Sequence, residues 1–259
     1  MGVMDGKRGL VVGIANDHSY AYFIAQSLIA HGAECLYTHL PGDRMKRRCS
    51  KAITQLGIEN PWLESMDCAS DEELDRVFDK IKTDYGSIDF LVHSIAFAER
   101  EWLGFDMFQE TPREAYKQAI DISAYTYLAM GRRAARIMNN GGSMIAMSYL
   151  GAVRAVPGYN VMGVAKAALE STTRYLAMDL GAKGIRVNSI SGGPLRTMSA
   201  LAVGGLSELL ELVESRAPLK RSVTGDDVGK SAVYLLSDMA SGVTGQILYV
   251  DCGYSAMGI

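Results

Sequence analysis

The stretch Gly9-Leu10-Val11-Val12-Gly13-Ile14-Ala15-Asn16-Asp17-His18-Ser19-Tyr20-Ala21 runs from an apolar segment, through a glycine turn, into a pattern with apolar residues at Ile24, Leu28 and Ile29. A strand, a glycine turn and a helix in that order is the setting in which a helix N-terminus receives a pyrophosphate, because its first N–H groups lack partners within the helix. The spacing is not GxGxxG but Gly13-x5-Ser19-x-Ala21. Serine offers a hydroxyl and alanine still permits close helix–strand packing. A single joint of this kind is common, so the remainder of the chain has to decide.

Six more short apolar runs follow: Cys35–Thr38, Trp62–Met66, Phe90–Ser94, Ser143–Ser148, Arg186–Ser191 and Ile247–Asp251. Several are apolar nearly throughout, as in parallel strands covered on both faces. Helical patterns lie between them, over Tyr20–His31, Asp71–Tyr85, Arg113–Asn139, Tyr159–Gly181 and Asp226–Ser237. Ser70 followed by Glu73 predicts a capping box at the second. Strands alternating with helices make a βαβ series, and right-handed crossovers close it into one doubly wound α/β sheet of seven parallel strands. Ligands of such sheets bind beyond the carboxyl ends of the strands. The span 197–218, with small residues and the pair Gly204–Gly205, reads as a packed helix pair or a hinged lid over those ends.

Composition removes other classes. Apolar residues make up 48% and charged residues 21%, enough apolar surface to order a chain of 259 residues in one domain. The net charge of −3 gives no general attraction to nucleic acid or to an anionic membrane. The run Arg44, Lys46, Arg47, Arg48 and Lys51 is a local exception, read first as a solvated helix face and second as a phosphate contact. No apolar run approaches the ~18 residues of a membrane span, and no signal-peptide pattern precedes the first strand. Cys35, Cys49, Cys68 and Cys252 have no metal-type spacing and read as reduced thiols of a cytoplasmic-type compartment.

Candidate cofactor contacts follow from the strand ends. No acid stands near His39 and Leu40 to bind adenosine ribose hydroxyls, so the sequence leaves NADH and NADPH both open. Asp67, before Cys68, is either an acceptor for an adenine amino group or a surface loop acid. Small residues in His93-Ser94-Ile95-Ala96-Phe97-Ala98 let a cofactor approach the backbone, and His93 itself reads as a satisfied strand histidine.

The fifth run leads into Ser148-Tyr149-Leu150-Gly151; Tyr159 comes ten residues after Tyr149, and Lys166 seven after that. Seven residues of helix fall roughly 20° short of two full turns and rise ~10 Å, so a helix through both positions points them the same way. A phenol can hydrogen-bond a substrate oxygen as negative charge develops on it, and an ammonium can bind ribose hydroxyls.

With Pro157-Gly158-Tyr159-Asn160-Val161-Met162-Gly163-Val164-Ala165-Lys166 and Gly193-Pro194-Leu195-Arg196-Thr197, these segments resemble the bacterial enoyl-acyl carrier protein reductases of the short-chain dehydrogenase/reductase superfamily. They do so in family order over nearly the whole chain. The resemblance implies a single Rossmann-type domain over 1–259. It implies reduction of the trans-2 double bond of enoyl thioesters on acyl carrier protein, in type II fatty-acid elongation. NADH is the first choice of cofactor and NADPH the second. The implied catalytic residues are Tyr149, Tyr159 and Lys166. Tyr159 would hydrogen-bond the thioester carbonyl, Lys166 would hold the cofactor ribose and Tyr149 would line the acyl site. Gly13, Ser19 and Tyr20 would cradle the pyrophosphate, and Asp67 and Cys68 would flank the adenine. Ile95 and Leu195 would lie near the nicotinamide and Thr197 near the phosphates. Phe97, Ala98 and Met162 would join Tyr149 and Tyr159 around the acyl group. No metal is implied. A cytoplasmic homotetramer built through the long helices and the C-terminal strand is expected, with Arg196 and the Arg44–Lys51 run as places where an acidic carrier protein would dock.

One position separates this family from its relatives. Ordinary short-chain dehydrogenases carry the tyrosine four residues before the lysine, where this chain has Met162. That opposes the alternative of a carbonyl or hydroxyacyl dehydrogenase. Retention of Tyr149, Tyr159 and Lys166 together opposes a non-catalytic dinucleotide-binding regulator.

Overall fold

A computed structural model describes residues 2–139, 141–195 and 206–258. Seven strands form: β1 (Arg8–Val12), β2 (Glu34–His39), β3 (Leu63–Ser65), β4 (Phe90–His93), β5 (Gly142–Ser148), β6 (Ile185–Gly192) and β7 (Ile247–Val250). All pair in parallel, in the order β3-β2-β1-β4-β5-β6-β7. Helices α1 (Tyr20–Ala30), α2 (Asp43–Gln55), α3 (Asp71–Tyr85), α4 (Arg113–Ile120), α5 (Thr126–Ala134), α6 (Val161–Leu180), α7 (Leu206–Arg216) and α8 (Gly225–Leu236) flank the sheet.

Both faces of the sheet are covered, so its central strands are apolar in both phases of the pleat. Val11, Phe90, Val92, Ile145 and Ile190 pack on the side of α1 and α8. Leu10, Leu91, Met144, Ala146 and Val187 face α3, α5 and α6. Burying a side chain of this size contributes roughly 1.5–3 kcal/mol. One polar insertion on β6 carries its own partners. Asn188, fully buried on β6, donates to Val243 O at 2.9 Å and accepts from Gln246 N at 3.0 Å.

The chain order reverses between β1 and β4, the point at which a doubly wound sheet has its ligand crevice. Ser94 N donates to Val12 O at 3.0 Å, so the two strand ends remain joined up to the point where they part. Gly13 follows with φ 111°, and a Cβ on it would collide with the Ser94 carbonyl. Glycine is required for the conformation and for the space.

Several elements differ from the sequence expectation. The pattern over Arg113–Asn139 is not one helix: a π-helical turn, Asp121–Tyr125, separates α4 from α5. Within it Ser123 Oγ accepts from Phe97 N at 3.0 Å, and Thr126 Oγ1, at the start of α5, donates back to Ile122 O at 2.7 Å. The helix ends early because Ile137 O accepts from Ile88 N, tying the chain to the approach of β4. Helix α6 begins at Val161 rather than Tyr159, since Asn160 has φ 46°. The Ser70–Glu73 box is half made. Ser70 Oγ accepts from Glu73 N, but the Glu73 carboxylate accepts from Asp67 N at 2.7 Å because Ser70 N is held by Asp67 O. A reciprocal box stands instead at Thr224 and Asp227, on α8.

The basic run lies on α2, which turns Cys49, Ala52 and Ile53 inward and leaves Arg44, Lys46, Arg47 and Lys51 exposed. Of the span 197–218, residues 197–205, including Thr197, lie outside the described residues, as does Arg196. The rest is α7, anchored through buried Val213 and Ala217, and the turn at Pro218. All four cysteines are free thiols. Among the described residues, no helix is long and apolar enough to cross a membrane.

Gly13→Ala is expected to destabilise the protein by more than about 1 kcal/mol and to lower Tm by more than roughly 2 °C. An unchanged melting curve would show that the ends of β1 and β4 have slack.

Candidate active site

The crevice beyond β1, β4, β5 and β6 collects most of the expected site residues. Tyr149 follows β5 in extended conformation, and its ring meets that of Tyr159 edge to face, with centroids 4.8 Å apart at 67°. Tyr159 reaches this place from the turn before α6, not from the helix itself. The space under its ring depends on Gly151, where a Cβ would strike the ring. Gly163 lets the head of α6 approach equally closely, since a Cβ there would stand 2.7 Å from Gly151 O.

Burial sets the ionisation of these groups. The Tyr159 hydroxyl is pushed well above the ordinary phenol range, first by desolvation and then by the neighbouring Tyr149 and Tyr20. Desolvation, with a smaller effect of Tyr254, pushes Tyr149 up to about 12. Both keep their protons, so each hydroxyl has an O–H to donate. Lys166, 5% exposed, donates from Nζ to Met147 O at 2.7 Å and has two further N–H donors. Burial pushes its ammonium down to about 8, while the charge of Glu170 opposes that fall.

Glu170 was not singled out in the sequence. It sits one turn beyond Lys166 on α6, is 4% exposed and accepts from Ser148 Oγ at 2.6 Å. Burial raises its carboxyl, and the Ser148 bond partly offsets that. The i,i+4 spacing of Lys166 and Glu170 was the available signal; the bond to Ser148 joins elements far apart in sequence and left none.

The pyrophosphate-type turn is tightly made. Ser19 Oγ accepts from Ala15 N at 3.1 Å and Asn16 N at 3.0 Å and donates to Asn16 O at 2.8 Å. Its hydroxyl therefore closes its own loop at the start of α1. The Tyr20 hydroxyl crosses the crevice to donate to Gly193 O after β6, tying α1 to the segment that leads to half-buried Leu195. Asp67 Oδ1 accepts from Ala69 N at 3.0 Å in a turn of the loop after β3, beside half-buried Cys68.

After β4 the chain lines the other side. His93 is fully buried; its Nε2 pairs with Thr126 Oγ1 at 2.7 Å, and Nδ1 has no partner among the described residues. Burial, with the charge of Lys166, depresses it to about 3, so it is neutral. Ile95 packs at the edge of the α3–α6 core. Ala96, Ala98 and Tyr159 pack around Leu103, Val161, Met162 and Ala165. Phe97 is exposed at the mouth, with its backbone N–H and carbonyl both held by Ser123 Oγ. Among the described residues no cluster of histidine, cysteine or carboxylate side chains is arranged to hold a metal.

Comparison with known proteins gives consistent results. A family model described as "Enoyl-(Acyl carrier protein) reductase" matches residues 13–255. The enoyl-[acyl-carrier-protein] reductase [NADH] FabI of a Nostoc species is 48% identical over 260 residues, covering 99% of each chain. The enzyme of that name from Rickettsia conorii is 43% identical, covering 99% of this chain and 97% of its own. Among solved structures, the Bacillus cereus enoyl-acyl carrier protein reductase with NADP+ and indole naphthyridinone superposes with a TM-score of 0.97 at 43% identity over the whole of both chains. The Anaplasma phagocytophilum reductase in complex with NAD gives a TM-score of 0.93 at 39% identity, covering 100% of this chain and 95% of that one.

In the ligand-free protein the Lys166 ammonium, followed by NMR of its ε-carbon, is expected to titrate at about 8. Glu170→Gln removes a negative charge that favours the ammonium, so the midpoint falls further. A midpoint near the ordinary lysine value of ~10.4 would contradict burial as the controlling effect.

Proposed function

The chain belongs to the enoyl-(acyl carrier protein) reductase family, and from that premise we propose how its own side chains divide the reduction of a trans-2-enoyl thioester carried on acyl carrier protein. The observation that carries the assignment is the half-buried, desolvated phenol of Tyr159 with Met162, rather than a tyrosine, four residues before Lys166. A carbonyl reductase needs a proton donor beside the carbon that accepts hydride. An enoyl thioester accepts hydride at its β-carbon, and charge develops two carbons away on the thioester oxygen.

The crevice fits a dinucleotide: the close approach at Gly13 leaves bare backbone there, and Lys166 supplies a buried cation. When bound, the reduced nicotinamide supplies the hydride. Tyr159 donates its hydrogen bond to the thioester oxygen and stabilises the enolate, an effect strengthened by the low-dielectric surroundings. Tyr149 holds the Tyr159 ring edge-on and lines the acyl site with Phe97, Ala98 and Met162. Lys166 holds ribose hydroxyls. Gly13, Ser19 and Tyr20 shape the pyrophosphate turn, Asp67 and Cys68 flank the adenine, Ile95 and Leu195 border the nicotinamide, and Thr197 contacts the phosphates.

The cofactor in this reading is NADH. Relatives named as NADH enzymes and the NAD-bound Anaplasma structure support it, while the NADP+ in the Bacillus cereus structure keeps NADPH as the alternative. Exposed Arg44, Lys46, Arg47 and Lys51 on α2 offer a positive patch to an acidic carrier protein. The 259 residues act as one catalytic domain. We place it in the cytoplasm as a homotetramer, assembled through α5 and α6. There exposed Leu128 and Tyr175 border a groove with Ala168 and Thr172, and Met178 is exposed on the same helix, α6.

With a crotonyl thioester and NADH, cofactor absorbance is expected to fall, and to fall faster than with NADPH. Tyr159→Phe should lower kcat about 10²-fold with cofactor affinity near normal, and Lys166→Ala should weaken cofactor binding. Oxidation of cofactor by 3-ketoacyl but not enoyl thioesters would overturn the reading.

A further inference from the structure

Tyr159 is delivered to the crevice by a link that is not helical. Gly158 before it has φ 76° and Asn160 after it has φ 46° and ψ −123°. Glycine adopts such angles freely; asparagine holds them only where its surroundings over-determine them.

Asn160 stands at the N-cap of α6. Asparagine favours that position because its side-chain oxygen can accept from N–H groups of the first turn. Here its side chain makes no capping bond. Instead Nδ2 donates to Trp102 O at 2.8 Å and to Gly104 O at 2.7 Å, which uses both N–H groups of the amide. The two carbonyls bracket Leu103. That residue is 7% exposed and packs with Ala119, Val161, Met162 and Ala165, against which Tyr159 and Ala98 rest. The backbone of the link is also occupied: Tyr159 O accepts from Met162 N at 3.0 Å and Asn160 O from Gly163 N at 2.9 Å. One side chain thus joins the residue after the tyrosine to the turn carrying the apolar wall beside it.

We propose that Asn160 is a positioning residue: its amide, clamped on the carbonyls either side of Leu103, fixes the Tyr159 phenol relative to the Leu103–Ala98 wall of the acyl site. This inference rests on the role given above to Tyr159. Helix continuation would carry the link into αR geometry and turn the phenol away; the clamp prevents that. Phenol and wall therefore move together, so loss of the clamp alters turnover and KM for the enoyl thioester together and leaves the dinucleotide side of the crevice untouched.

Two variants separate the effects. Asn160→Gly keeps the backbone angles without strain and removes the clamp. Asn160→Asp keeps the shape but turns a carboxylate oxygen toward the two carbonyls. Each is compared with the intact protein in kcat and KM for a crotonyl thioester, in cofactor Kd, and in amide hydrogen exchange over residues 100–104. Asn160→Gly is also combined with Tyr159→Phe. The expected result for Asn160→Gly is a cooperative melt, unchanged cofactor Kd, faster exchange over 100–104 and kcat reduced about ten- to hundredfold, as for small misplacements of a reacting group. Asn160→Asp should be slower still. The double variant should be no slower than Tyr159→Phe alone, because no phenol remains to be positioned. Should Asn160→Asp fail to fold, Asn160→Gly decides alone. The proposal is overturned if Asn160→Gly keeps kcat and KM within about twofold, if exchange over 100–104 does not change, or if its loss adds in full to that of Tyr159→Phe. A fully active Tyr159→Phe overturns the role of the tyrosine instead, and the exchange measurement still reports on the clamp.

Discussion

The contact between Gly13 and Ser94 is the constraint from which the remainder of the site follows. Two neighbouring parallel strands leave the sheet there in opposite directions, and their backbones lie too close for a side chain between them. This is the topological switch point at which doubly wound sheets bind ligands. Because the close approach fixes the floor of the crevice, α1 starts on one side, the loop bearing Ile95, Phe97 and Ala98 leaves on the other, and β5 and β6 bring Tyr149 and Gly193 to the rim.

Burial then decides the chemistry. The titratable groups here are shifted by their surroundings. The phenols of Tyr149 and Tyr159 stay protonated, His93 stays neutral, and Lys166 loses basicity but is supported by Glu170. The same low dielectric that shifts these groups strengthens the hydrogen bonds they make. Ser148, by donating to Glu170, favours the charged form of the carboxylate one turn beyond the lysine. The site contains no exchangeable proton on the residue four before Lys166, which separates the two kinds of reductase chemistry by one side chain.

The sheet was legible because parallel strands covered on both faces are short, apolar and bounded by polar turns; every one of the seven appears where its run stands. The motifs around Tyr149, Tyr159 and Lys166 were legible as a set; the rings of Tyr149 and Tyr159 meet edge to face, and Lys166 Nζ is held on Met147 O at the end of β5. The helical geometry inferred for Tyr159 was not borne out, although the residue was identified. Periodicity carries no sign of a positive φ at a residue other than glycine, and Asn160 is held there by carbonyls 56 and 58 residues away in sequence. The π turn that splits the pattern over Arg113–Asn139 was hidden for a related reason. It answers to Phe97 and to the loop after β4, not to its own apolar spacing. Thr197, assigned to the cofactor phosphates by resemblance, lies outside the described residues.

The central claim is that hydride reaches the β-carbon while Tyr159 stabilises charge on the thioester oxygen. The most direct test is isotopic: reduce a crotonyl thioester with cofactor deuterated at the transferred position, in ordinary water, and locate the label in the product by NMR. The account predicts one deuterium at C3 and none at C2, with a solvent-derived hydrogen at C2 when the solvent is deuterium oxide instead. Deuterium at C2 from the cofactor, or reduction at the carbonyl carbon, would contradict it.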